Sequence, residues 1–183
     1  VSVIRGVHMT IDPGHRVDDT QLPPPSALLR AFLAPDPNPT PHRVLDAASG
    51  LARCHDRRRA ALEAARRPGA ANGRTAESGR LIDDIDDERA ALIARIDGWV
   101  AANIAHRAGA SLHTETLGAV IDRMAAKWVA AKHTLDSDPM TTTAPRQREA
   151  RAHLQWCRLA ELTDGYRDLI TDVAERRRRL PVW

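Results

Sequence analysis

Apolar positions in this chain recur at helical spacing in four long stretches. At about 100° per residue, Val44, Ala48, Leu51, His55 and Leu62 fall on one stripe, and Leu81, Ile85, Arg89, Leu92, Ile96 and Trp99 form a second. Leu117, Ile121, Met124, Trp128 and Leu135 make a third stripe; Leu159, Leu162, Tyr166, Leu169 and Val173 make a fourth. Local chemistry suggests the boundaries. Thr40 followed by Pro41 reads as a hydroxyl cap and a first-turn proline, opening a helix that runs to about Arg67 with only Gly50 against it. Residues 68–79 hold three glycines and no large apolar side chain, which predicts a loop. A second helix then spans about 80–103, a third about 115–135 with Thr114 as its cap, and a last about 146–177. Ser26 opens a shorter apolar segment, Ala27 to Ala34, which stops at a Pro/Asn run.

The expected fold is all-α: an antiparallel bundle of four long helices plus a short N-terminal helix. It forms a single helical-bundle domain over residues 26–183, behind a flexible N-terminal lead-in over residues 1–25 that ends in three prolines. The third helix carries a second strip of small residues, Gly118, Ala125 and Val129. A helix buried on two sides suits a crowded position against a partner chain, so a homodimer is expected.

Composition changes this picture little. The 183 residues, 43% hydrophobic and 28% charged, fit one globular domain. Arg supplies 25 of the 27 basic residues, a skew that reflects coding bias rather than function. Aromatics make up only 3% and the charge is mixed along the chain, so no specific nucleic-acid binding is expected. No apolar run approaches the length of a signal peptide or a membrane span, so the expectation is a cytoplasmic protein without a membrane partner. Cys54 and Cys157 stand alone and read as buried thiols.

The candidate chemistry lies where polar residues interrupt apolar stripes. His55 and Arg89 sit centrally on theirs, with Arg58 and Asp86 close by. Burying an unpaired charge costs several kcal/mol, so such groups imply either an interhelical ion-pair network or a polar pocket. In the block LHTETLGAVIDR, Glu115 and Asp122 are seven apart and would share a helix face with Gly118 between them. Two carboxylates on one cavity can form an acid/base pair. His55, His113, Glu115 and Asp122 are thus the candidate catalytic groups, and Arg89 and Arg123 the candidate ligand-binding groups. The spacings of carboxylate-bridged metal bundles do not occur, so neither a metal nor a cofactor is expected. The acidic run DDIDDE reads as a solvated first helical turn, and Arg176 to Arg179 as the cationic end of the last helix.

Four stretches, HRVLDAASGLARCHDRRRAAL, IDDERAALIARIDGWV, LHTETLGAVIDRMA and HLQWCRLAELTDGYRDL, resemble the bacterial family known as domain of unknown function 4254. The likeness spans roughly residues 40–180, and its most specific part is His113 to Thr116 running into Ile121-Asp122-Arg123. It implies a small, mostly helical bacterial protein and assigns no catalytic residue. Two functions stay open. One is a polar site within the bundle that binds or transforms a small anionic or carbonyl-containing molecule. The other is a non-catalytic homodimeric accessory protein whose buried polar residues are structural.

Overall fold

The computed structural model describes residues 21–33, 42–66, 72–136 and 145–181. Helix α1 (Pro25–Leu33) starts on a proline, and the N–H groups of Ala27 and Leu28 bond to the Pro24 carbonyl at 3.0 and 3.3 Å. Helix α2 (Arg43–Ala65) is capped by His42, not by Thr40, which lies with Pro41 outside the described residues. The buried His42 ring accepts from the Val44 N–H at Nδ1 (3.2 Å), and its Nε2 donates to the Gln21 carbonyl (2.9 Å). That second bond ties the incoming chain to the bundle, where Leu22 packs on the core and the Pro23 carbonyl accepts from Tyr166 Oη at 2.7 Å. Residues 21–25 are therefore anchored; residues 1–20, the rest of the expected lead-in, lie outside the described ones.

Helix α3 (Asn72–Asn103) begins eight residues before the expected start. Glycine inside a helix costs about 1 kcal/mol and is not a stop signal, and Gly73 and Gly79 are carried through among good helix formers. This moves the acidic run away from the first turn. Asp83, Asp84, Asp87 and Glu88 are exposed, but Asp86 and Glu88 bond to arginines of α2 instead of complementing a helix dipole.

Helix α4 (Leu117–Asp136) starts two residues later than expected because Thr116, not Thr114, caps it: Thr116 Oγ1 accepts from the Ala119 N–H at 3.2 Å. Helix α5 (Pro145–Ala174) stops short of the arginine run. Arg176 turns the chain with φ of 58°, and Arg178–Arg179 (β2) pair in parallel with Ser111–Leu112 (β1), a contact absent from the expected all-helical pattern. Segments 67–71 and 137–144 lie outside the described residues.

The architecture is an all-α bundle. Ion pairs set its directions: Asp46 with Arg95, Arg57 with Glu88 and Arg58 with Asp86 run α2 and α3 antiparallel. Arg89 with Asp122 and Asp97 with Gly118 do the same for α3 and α4. Helix α4 is central and packs against α1, α2, α3 and α5, while the backbones of α3 and α5 do not approach closely among the described residues. Leu51, Ile85, Ile96, Ile121, Met124 and Tyr166 form the middle of the core. Each buried aliphatic side chain stabilises by about 1.5–3 kcal/mol. Leu81, expected on the second stripe, is exposed instead.

The small strip of α4 is covered from within. Gly118 sits against the backbone of Ile93, and Ala125 and Val129 are buried in the single chain. The crowding that suggested a partner chain is thus met by α4's own neighbours. Cys54 is buried as expected and Cys157 only partly. Burial, with Glu88 nearby, pushes the Cys54 thiol up to about 11, which keeps it protonated and inert.

Candidate functional site

Five charged or polar side chains meet where α2, α3 and α4 come together. Helix α2 supplies His55 and Arg58, three residues apart and so neighbours on one face. Helix α3 supplies Asp86 and Arg89 at the same spacing, and α4 supplies Asp122. Asp122 is the hub. Its Oδ1 accepts from His55 Nε2 at 2.8 Å and from Arg89 Nε at 3.0 Å, and its Oδ2 accepts from Arg89 Nη2 at 3.2 Å. Arg89 Nη1 reaches Asp86 Oδ1 at 2.6 Å, and Arg58 Nε donates to both Asp86 oxygens at 3.0 and 3.2 Å.

Two arginines and two aspartates cancel, so a neutral His55 leaves the cluster without net charge. The site is wet at its rim: side-chain exposure is 14% for His55 and Asp122, 25% for Arg89 and near 36% for Asp86. Burial alone would raise the Asp122 carboxyl, but the hydrogen bonds and charges of His55 and Arg89 outweigh it and hold the group below the usual carboxylate range. Asp86 behaves alike, its partial burial being outweighed by Arg58 and Arg89. The bidentate bond to Asp122 raises Arg89 further, so it stays charged.

His55 is placed as an imidazole backed by a carboxylate. The neutral tautomer that donates from Nε2 to Asp122 carries its lone pair on Nδ1, and Nδ1 has no hydrogen-bond partner among the described residues. Arg58 spends only Nε on Asp86, leaving both Nη groups without a partner among the described residues. A proton acceptor and an open guanidinium edge therefore stand side by side on α2.

The remaining expected site residues lie apart. Glu115 precedes α4, so it does not share a helix face with Asp122, and the expected carboxylate pair does not form. Both oxygens of Glu115 are taken by Arg123 at 2.6 Å. His113 turns back on the backbone of Glu115, with Nδ1 3.2 Å from its nitrogen and 2.9 Å from its carbonyl oxygen. Arg89 and Arg123, expected to hold an anion, are both committed to carboxylates. No group of three or more metal-ligating side chains occurs among the described residues.

Sequence reading missed Asp97, whose Oδ1 accepts from the Gly118 N–H at 2.8 Å and so caps α4 from α3. It also missed Asp56, which binds His133 at 3.0 Å beside the His55 site. Their signal, an acid on a polar face, is shared by many solvated residues. A cleft of about 470 Å³ was not foreseen either; it opens between the ends of α3 and α5. Along α3 it lies some 14 residues from Arg89, about 21 Å at 1.5 Å per residue, and none of the expected site residues lines it.

Residues 46–182 match the family model described as protein of unknown function (DUF4254). The chain belongs to that family. The matched span runs from the first turn of α2 through β2, and takes in His55, Arg58, Asp86, Arg89 and Asp122. The family description carries no activity, so site roles rest on this geometry. No curated protein and no solved structure matches the chain. No helix among the described residues is long and apolar enough to cross a membrane.

Proposed function

We propose that the protein binds a small anionic or carbonyl-containing molecule on the α2–α3–α4 face, with His55 Nδ1 as the proton-transferring atom and the free edge of Arg58 as the anion contact. The observation that carries this reading is the backed imidazole: Nε2 is fixed on Asp122, Asp122 is fixed by Arg89, and Nδ1 is left over among the described residues. A carboxylate on one ring nitrogen orients the imidazole and stabilises its cation, which suits the other nitrogen to accept a proton. In this scheme Arg89 positions Asp122 and touches no ligand. Arg123, Glu115 and His113 form a separate ion pair and turn at the start of α4 and take no part.

A second reading has its own support. All three nitrogens of Arg89 bond to carboxylates on its own helix and on α4, as expected of a clamp that fixes helix register in an accessory protein. The two readings diverge in thermal unfolding measured across a panel of phosphate, simple carboxylates and 2-oxo acids. A working site gives a parent stabilised by at least one of these, and His55→Leu and Arg58→Gln variants that fold but lose the response. A parent that responds to none, or a His55→Leu variant that responds as the parent does, leaves only the clamp.

A further inference from the structure

We propose that the cleft between the ends of α3 and α5 is a second site, one that takes a small amphipathic carboxylate. Its body is mainly apolar: Leu22, Ile104, Ile170 and Val173 line it beside the polar Asn103 and Thr171, and its size of about 470 Å³ is that of a small-molecule pocket. Its cation is Arg176. Of the four successive arginines, Arg177 is paired with Asp172 and Glu175, Arg178 with Asp172, and Arg179 with the Ala110 carbonyl. Arg176 lines the cleft and has no partner among the described residues. The neighbouring acid at the cleft, Glu175, is held by Arg177 and so does not neutralise it.

The backbone gives a second indication. Arg176 occupies the left-handed turn that ends α5, with its N–H on the Val173 carbonyl at 3.0 Å and the Arg177 N–H on the Asp172 carbonyl at 2.8 Å. Glycine is the usual residue in such a turn, and an arginine there is strained. Helix C-termini ordinarily repel anions, but here the turn satisfies carbonyls of α5. The Asn103 side chain and the Ile104 N–H do the same for the Trp99 and Val100 carbonyls of α3. What faces the cleft is a mainly apolar wall with one positive charge that has no partner among the described residues.

The test uses octanoate and octanol on the full chain, followed by amide chemical shifts and calorimetry. Octanoate is expected to shift residues 104 and 170 and to bind roughly tenfold or more tightly than octanol, the scale of one charged hydrogen bond. Arg176→Asn, which suits a left-handed turn, should lower octanoate affinity by a similar factor and leave octanol unchanged. Arg176→Lys should retain most of the binding, and Ala105→Trp, which fills the cleft, should abolish it. Equal binding of octanol and octanoate, no binding of octanoate, or an Arg176→Asn variant that binds as the parent does would overturn the proposal. So would octanoate binding only after residues 1–20 are deleted, or a dimer that Ala105→Trp dissociates, since either gives the cleft another occupant.

Discussion

Gly118 is a point of close approach between α3 and α4, and replacing it with alanine should measurably destabilise the protein. A Cβ there would lie 2.7 Å from the Ile93 carbonyl oxygen, 2.9 Å from Ile93 Cγ2 and 3.0 Å from Asp97 Oδ1. The first distance falls about 0.7 Å short of ordinary contact, and its partner is helix backbone, which moves only if α3 and α4 separate. Overpacking of this kind costs about 1–3 kcal/mol. Separation also stretches the Gly118 N–H bond to Asp97, worth about 0.5–1.5 kcal/mol, while the better helix propensity of alanine returns about 1 kcal/mol. The balance is a loss of about 2 kcal/mol, or roughly 4–8 °C in Tm for a chain of this size. Gly98 and Gly165 are the internal controls. Both are exposed and helical with nothing within 4 Å of a built Cβ, so alanine should raise Tm by roughly 1–4 °C at each. Scanning calorimetry of the three variants decides the matter. A Gly118→Ala protein at least as stable as the parent would refute the close approach of α3 and α4, and with it the placement of Arg89 against Asp122.

Other outcomes follow from the same contacts. Because Asp122 titrates below its unfolded value near 3.8, its contribution is complete above about pH 5 and is lost as pH falls through the lower folded value. Asp122→Asn should therefore cost about 2–3 kcal/mol at neutral pH, since Arg89 loses a bidentate partner, and should flatten the acid limb of stability. Urea unfolding between roughly pH 3 and pH 7 reads both effects, and an unchanged acid limb contradicts the assignment. Tyr166→Phe strips the Pro23 carbonyl of its buried donor, a loss of about 1–3 kcal/mol that should speed amide exchange in α1 more than in α3. Arg176→Gly relieves a left-handed strain of about 1–2 kcal/mol against an added unfolded-state entropy of about 0.5–1 kcal/mol. A small rise in Tm is expected, and a fall would show that the arginine side chain stabilises the turn.

The helices were legible because their signal is periodic and redundant: Leu117, Ile121 and Met124 each report the same face, and all three are fully buried. Helix ends were not, because caps compete locally. Thr114 and Thr116 are equally good by type, and only the position of Asp97 on another helix selects the second. The site was legible in half. His55 and Arg89 stood out by interrupting apolar stripes, and the structure joins them through Asp122. Glu115 was misplaced because the seven-residue rule holds only inside a helix, which starts after it. The arginine run hid the β2 pairing and the cleft, since two-residue strands carry no period and a cavity depends on which helices fail to touch.

The central position of α4 has a consequence for the order of synthesis. The α2–α3 hairpin leaves the ribosome complete in its own ion pairs, including Arg58 with Asp86 and Asp86 with Arg89. Its apolar stripes stay open to solvent until α4 follows, about 33 residues later, a wait of roughly 2–7 s at about 5–20 residues per second. During that interval two arginines share one aspartate, so the face awaiting α4 carries a surplus positive charge. Asp122 is the counter-charge that arrives on the missing helix. A nascent hairpin of this kind discriminates: an apolar helix from another chain would cover the stripe but bury Arg89 Nε and Nη2 without an acceptor, whereas the chain's own α4 covers the stripe and supplies Asp122 to both.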